Sequence, residues 1–225
     1  MKSIWPYPVL KVSESTYLKD PASTDLGRRI VSGSIDQISD LGFEAFTFRK
    51  LAKKINSTEA SAYRYFESKH QLLLYLVNWY WAWTHYRLMS ATASNAQPQA
   101  RLRKALHLLS VAIEEDGNFS HINEIQLQQI VIDNAAKTYL TTAVDREQQH
   151  GAFSNYILLV AQLAEWVLAV NPDYPYPHML ISNTIEGMHH QRFFAEHLPA
   201  LTDLNSSHDQ INAFYQDLVF KTLAS

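Results

Sequence analysis

The chain has 225 residues, 47% of them hydrophobic and 18% charged, with a net charge of −3; this is enough apolar material for one sizeable core, or for a small domain on a larger one, and too much for a disordered chain except at its ends. It contains no cysteine, which excludes disulfides, thiolate metal sites and cysteine nucleophiles and makes a reducing cytoplasm the expected compartment. The net charge alone argues against a nucleic-acid binder, but residues 1–75 hold eleven Lys/Arg against eight Asp/Glu, and residues 76–225 hold eight against fourteen. That asymmetry is expected when one region meets phosphates and the other does not.

Residues 1–24, with Pro6, Pro8 and Pro21, read as an arm that lacks the continuous apolar stretch of a signal peptide. Beyond it, apolar residues recur at spacings of three and four, and glycine is scarce at six, so the expected fold class is all-α. A helix is expected over 25–41, with Leu26, Ile30, Ile38 and Leu41 on one stripe and Gly42 ending it. Thr47 has the side chain of an N-cap for a second helix, in which Phe48, Leu51, Ala52 and Ile55 repeat as i, i+3, i+4, i+7. Asn56 and Ser57 break it, Thr58 can cap a third helix, and Ser68 a fourth running from 69 to about 89. The apolar run 72–83 contains Asn78 and is about half the roughly 20 residues of a membrane helix, so no membrane association is expected.

The helical pattern continues to the end of the chain, and 76–225 reads as one further domain after a reading domain at 25–75. Leu102, Leu106, Leu109 and Ile113 mark one amphipathic helix, and Tyr156, Leu159, Leu163 and Val167, with Trp166, another. Residues 171–177, "NPDYPYP", must be a loop because its prolines cannot continue a helix. Two terminal helices are expected, at about 178–197 and 208–224.

A helix of about nine residues, a break of about two and a second helix of about nine, preceded by a supporting helix, is a helix-turn-helix arrangement. A recognition helix must enter a major groove roughly 12 Å wide, which favours small residues at its leading end; here these are Thr58, Glu59, Ala60 and Ser61. Ala62 and Phe66 would face the domain core. Tyr63 and Tyr65 would project sideways, where a phenol can donate to phosphate oxygens, although on the residues alone such tyrosines are more often ordinary packing aromatics. Lys50, Lys53 and Lys54 read as a solvated face that adds diffuse attraction.

The stretch "GFEAFTFRKLAKKINSTEASAYRYFESKHQLL", residues 42–73, resembles the DNA-binding domain of the TetR/AcrR family of transcriptional regulators. The resemblance covers about 25–80, and Tyr63-Arg64-Tyr65-Phe66 followed by Ser68-Lys69 is its most specific part. It implies that Thr47 and Arg49 contact backbone phosphate, that Thr58, Ala60 and Ser61 read bases, that Tyr63 and Tyr65 flank phosphates, and that Lys69 holds a phosphate at the start of the fourth helix. Glu59 departs from the pattern, since a basic residue or proline is common there; a carboxylate can accept from cytosine N4 or favour the helix N-terminus, but it opposes phosphate.

The same resemblance implies a C-terminal helical domain that dimerises and binds a small effector, giving a repressor released from a palindromic operator whose half-sites lie about 34 Å apart. Ile181, Ile185, Met188 and Phe193, with Ile211, Phe214, Tyr215 and Leu218, form apolar stripes that suit a four-helix bundle with a twofold mate, and that can also pack within one chain. Trp79, Trp83, Tyr86, Tyr156 and Trp166, with Leu109 and Ile113, supply apolar area suited to an apolar or planar effector, or to a core. No cofactor or metal is expected.

Two readings of other classes remain. Glu147-x-x-His150 and Glu186-x-x-His189, preceded by Glu124 and Glu165, follow the order of di-iron carboxylate bundles. Glu147 and Glu165 would, however, stand about 27 Å apart on one continuous helix, or at different levels of a hairpin turned at Gly151. The other is a helical sensor that has lost DNA reading, with Glu59 as the hint.

Overall fold

The computed structural model describes residues 10–94, 97–204 and 209–224; Pro6, Pro8 and the expected start of the last helix at 208 lie outside them. The fold is all-α. After short 3-10 turns at Glu14–Thr16 and Pro21–Ser23 come α1 (Asp25–Leu41), α2 (Phe48–Lys54), α3 (Glu59–Tyr63), α4 (Lys69–Thr92), α5 (Pro98–Ser110), α6 (Glu124–Asp133), α7 (Ala135–Tyr139), α8 (Val144–Gln149), α9 (Ser154–Val170), α10 (Pro177–His197) and α11 (Asp209–Ala224). Among the described residues, no helix is long and apolar enough to cross a membrane.

The chain divides into two compact units. The first comprises Met1–Trp83 and Ile113–Asn155, and so extends past residue 75 and takes in α6, α7 and α8. Its core is built on Ile30, Ile35, Phe46, Leu51, Phe66, Leu72, Leu73 and Trp81, all fully buried. In this unit α1 packs against both α2 and α6. The close approach to α2 depends on Gly33, where a Cβ would fall 2.6 Å from the Ile55 methyl and 3.1 Å from Leu51. Gly42 ends α1 at φ +77°, a left-handed backbone that favours glycine.

The second unit comprises Thr84–Ala112 and Tyr156–Ser225, with α11 packed on α5 and α10, and α10 on α5. α10 and α11 meet at Gly187, where any Cβ would collide with the Tyr215 hydroxyl at 2.1 Å. Of the two packings open to the terminal stripes, most of their residues take the one within a single chain. Ile181, Ile185, Met188, Ile211 and Tyr215 are buried within a single chain and Phe193 is half-buried, because α10 and α11 face each other and α5. Only Phe214, 58% exposed, and Leu218, 42% exposed, face outward from those stripes.

α5 also ends earlier than its periodicity suggests. Val111 is extended, and the Arg192 guanidinium donates to the carbonyls of Leu109 (3.1 Å) and Val111 (2.9 Å), satisfying acceptors that end-of-helix geometry leaves open. Ile113 therefore lies in the following loop, in the first unit. α10 starts at Pro177, a first-turn position where the missing N–H costs nothing.

Candidate nucleic-acid interface

α2 and α3 are short, seven and five residues, and isolated helices of that length are not stable in water. They are fixed by side-chain caps and by ties from neighbouring elements. The Thr47 hydroxyl accepts from the Lys50 N–H at 3.2 Å, and the Thr58 hydroxyl accepts from the Ser61 N–H at 3.2 Å and pairs with the Ser61 hydroxyl at 2.8 Å. The turn between them places Asn56 at φ 50°, a left-handed conformation that asparagine tolerates. From α1, Arg29 donates to the Ile55 carbonyl at 3.1 Å and so holds the end of α2. Ser68 caps α4 by accepting from the Gln71 N–H at 3.2 Å.

The recognition segment has one inward and one outward face. Ala62 and Phe66 are buried. Thr47, Arg49, Thr58, Glu59, Ala60 and Tyr63 are exposed, and the Tyr63 ring, 48% exposed, is braced edge-on against Phe48 at 5.0 Å. Ser61 is buried beneath this face, bonded to Thr58 and to the guanidinium of Arg64 (3.1 Å). Arg64 is an exposed cation that the sequence reading did not single out; its signal was its place between the two tyrosines.

Tyr65 departs from expectation. It is 3% exposed, and its hydroxyl shares a 2.7 Å hydrogen bond with that of Thr24. A side chain turned into the core and bonded there does not project toward a phosphate. Lys69 is also engaged, donating to the carbonyls of Phe43 and Glu44, each at 3.1 Å, with its ammonium 4.8 Å from the Phe43 ring; one of its three N–H donors remains.

The cations of α2 divide in the same way. Lys54 lies 3.4 Å from Asp36 and 3.7 Å from Asp40, and Lys50 donates to the Ala45 carbonyl at 2.7 Å. Arg49 and Lys53 are exposed and have no ion pair among the described residues. Two unneutralised cations beside small residues and a braced phenol form a surface able to meet a phosphate backbone and base edges.

The residues expected to bind an effector fall in both units. Trp79, Trp83 and Ile113 belong to the first and are buried; Tyr86, Leu109, Tyr156 and Trp166 belong to the second, where Trp166 is buried and the other three are half-buried. Trp79 and Trp83 stack at 6.3 Å, Trp79 meets Phe119 edge-on, and the Trp83 N–H donates to Asp116 at 3.2 Å. Asp116 in turn donates its backbone N–H to Glu124 at 3.2 Å, and burial pushes the Glu124 carboxyl up to about 7. In the second unit the Tyr156 hydroxyl donates to Glu186 at 2.7 Å. A cavity of about 240 Å³ in that unit is lined by Gln191, Leu201, Thr202 and Tyr215, and one of about 260 Å³ in the first by Phe43, Glu44, Asp133 and Lys137. Neither is lined by any of the residues expected to bind an effector.

The di-iron order does not assemble. Gly151 turns the chain at φ +80°, Glu147 is bonded to His70 at 2.7 Å, and among the described residues no three His, Asp or Glu side chains converge as metal ligands.

Comparison with known proteins agrees with this geometry. Residues 30–76 match the family model of bacterial regulatory proteins of the tetR family. AibR, solved with isovaleryl coenzyme A and operator DNA, is similar at a TM-score of 0.57 and 16% identity, over 85% of this chain and 96% of that one. The ketosteroid transcriptional regulator KstR2 of Mycobacterium tuberculosis gives 0.56 and 15%, over 86% and 93%, and a TetR-family protein from Mesorhizobium loti MAFF303099 gives 0.55 and 17%, over 92% and 98%. No curated protein matches the chain by sequence. Residues 30–76 thus match the tetR-family regulatory model, and the chain around them shares the fold of these three solved structures.

Proposed function

We propose that the protein is a cytoplasmic transcriptional repressor that reads a palindromic operator as a homodimer and leaves it when a small molecule binds. The observation that carries this reading is the outward face of α2 and α3, where Arg49, Lys53, Glu59, Ala60 and Tyr63 are exposed on a motif otherwise fastened inward. Arg49 and Lys53 contact phosphate, Tyr63 flanks it, and Thr47, Thr58, Glu59 and Ala60 lie along the groove, with Ser61 and Lys69 supporting them. Binding is then strongly salt-dependent, each phosphate-neutralising cation contributing about 0.9 to the slope of log K against log salt. Phe214 and Leu218, the exposed remainder of the terminal stripes, belong to the face that a partner copy covers.

The effector acts by population shift, favouring a dimer whose reading heads are misplaced for adjacent grooves. AibR with its coenzyme A ligand and operator DNA supports a ligand-responsive reading. α4 is the covalent route, since residues 69–83 belong to the first unit and 84–92 to the second. The test is capture of sheared genomic DNA by the purified protein at near-physiological salt, beside a Tyr63→Ala control. Enrichment of one palindromic site, lost in the control, is the expected result. If nothing is enriched, the alternative gains: a sensor that no longer reads DNA, which the exposed carboxylate of Glu59 favours.

A further inference from the structure

A helix-turn-helix does not require the segment 10–24, yet it is fastened at both ends. At its C-terminal end, the Leu18 N–H donates to the Tyr65 carbonyl at 2.7 Å and the Thr24 hydroxyl bonds that of Tyr65 at 2.7 Å. The Lys19 ammonium lies 5.3 Å from the Tyr65 ring centroid, and Tyr17 meets Tyr75 edge-on at 6.0 Å. Thr24 also caps α1, accepting from the Gly27 N–H at 3.0 Å, and Pro21 sits so close that a Cβ on Gly27 would fall 2.2 Å from the Pro21 carbonyl oxygen. At its other end, the Ser13 N–H donates to Asn78 Oδ1 at 3.1 Å. Asn155 donates to the same oxygen at 2.6 Å and to the Lys11 carbonyl at 2.8 Å, while Asn78, 1% exposed, donates to the Ala152 carbonyl at 2.6 Å. Asn78 stands about 14 Å along α4 from its first residue.

We propose that residues 10–24 are a strap that positions the recognition helix, with Thr24, Leu18 and the Ser13–Asn78–Asn155 knot as its positioning residues. The inference rests on the DNA-reading function above. α3 has five residues and cannot hold its own orientation; its N-terminal end is capped by Thr58, whereas the chain leaving it, beyond its own return bonds to the Ala62 carbonyl and the buried Phe66, is tied at Tyr65 by two bonds from the strap. Base contacts are directional and phosphate attraction is not, so loosening the strap lowers affinity for the operator more than for random DNA. This also explains Tyr65, whose hydroxyl serves the strap instead of a phosphate.

The test uses three full-length variants, two that break the strap and one that keeps it. Ser13→Pro removes the N–H that bonds Asn78; Ser13 at φ −58° lies within proline's backbone range, and the ring Cδ, taking the hydrogen's place against Asn78 Oδ1, pushes the knot apart. Tyr65→Phe removes the hydroxyl bonded to Thr24. Hydrogen exchange at the Leu18 amide, melting, and affinity for both the captured operator and random duplex are measured for each. Both variants should exchange faster at Leu18 and lose operator affinity by about 5- to 20-fold, with random-DNA affinity changed by less than about 2-fold; Thr24→Ser, which keeps the hydroxyl, should leave all four readings unchanged. Faster Leu18 exchange with unchanged operator affinity would reduce the strap to packing. Loss of affinity in Tyr65→Phe alone, with Ser13→Pro normal, would place the hydroxyl on DNA and overturn the strap's role. A wild-type protein that captures no site while Leu18 stays protected would instead sink the DNA-reading function on which the strap depends.

Discussion

In the reading head, helices of seven and five residues are held by hydroxyl caps at Thr47 and Thr58 and by cross-element bonds such as Arg29 to the Ile55 carbonyl. In the second unit, helices of 13, 17, 21 and 16 residues carry long apolar faces, and α5 and α10 begin on Pro98 and Pro177 with no side-chain cap bond. The difference follows from what each region must expose. On the proposed function, helices that present one face to DNA keep only the other for the core, so short polar bonds must add to the order that apolar burial supplies.

The largest expected effect tests how similar the two regions are beneath that difference. Leu51 in α2 and Leu163 in α9 are both 0% exposed, and truncating either to alanine should cost about 2–5 kcal/mol in urea unfolding. A much smaller loss for Leu51→Ala would mean that the reading head is held by its polar bonds alone.

A buried titratable group in each unit gives the two opposite responses to pH. Burial pushes Glu124, in the first unit, up to about 7, and pulls His189, in the second, down to about 3, with the Arg192 and His190 charges adding to the latter. The folded state therefore holds the Glu124 proton more tightly than the unfolded chain, and this contribution to stability is lost as pH rises from about 4.5 to about 7. His189 binds its proton less readily when folded, so its contribution is present above about 6.5 and is lost as pH falls toward 3. Glu124→Gln should flatten the fall in stability toward neutral pH, and His189→Gln the fall toward acid, read by hydrogen exchange in each unit across that range. Identical pH profiles for the wild type and both variants would remove this distinction.

The same contrast explains what was legible in the sequence. The caps at Thr47, Thr58 and Ser68 could be read because a cap and its N–H lie three residues apart, and Ala62 and Phe66 because both lie on one helical face. Tyr63 and Tyr65 could not be told apart: what turns Tyr65 inward is Thr24, 41 residues upstream, in an arm with no periodicity to announce its docking. α6, α7 and α8, at ten, five and six residues, are too short for a repeat to emerge. The stripes on α10 and α11 showed that a face is buried, but not that each covers the other within one chain; a stripe carries no mark of its partner.

The smallest effects separate the two ways of starting a helix. Thr58→Ala removes the acceptor for the Ser61 N–H and the partner of the Ser61 hydroxyl, and should cost about 1 kcal/mol. Part of that loss should appear as weaker operator binding, because the uncapped turn is the reading end. Pro98→Ala breaks no hydrogen bond, since proline has no N–H to lose and Gln97 makes no cap bond; alanine continues the helix well, so the variant should lose only the entropy that proline removes from the unfolded chain, about 0.4–1 kcal/mol. That cost belongs to the denatured state and should leave operator affinity untouched. If Thr58→Ala cost no more than Pro98→Ala and spared operator binding, the caps would be incidental and the reading head would be held, like the second unit, by its apolar core.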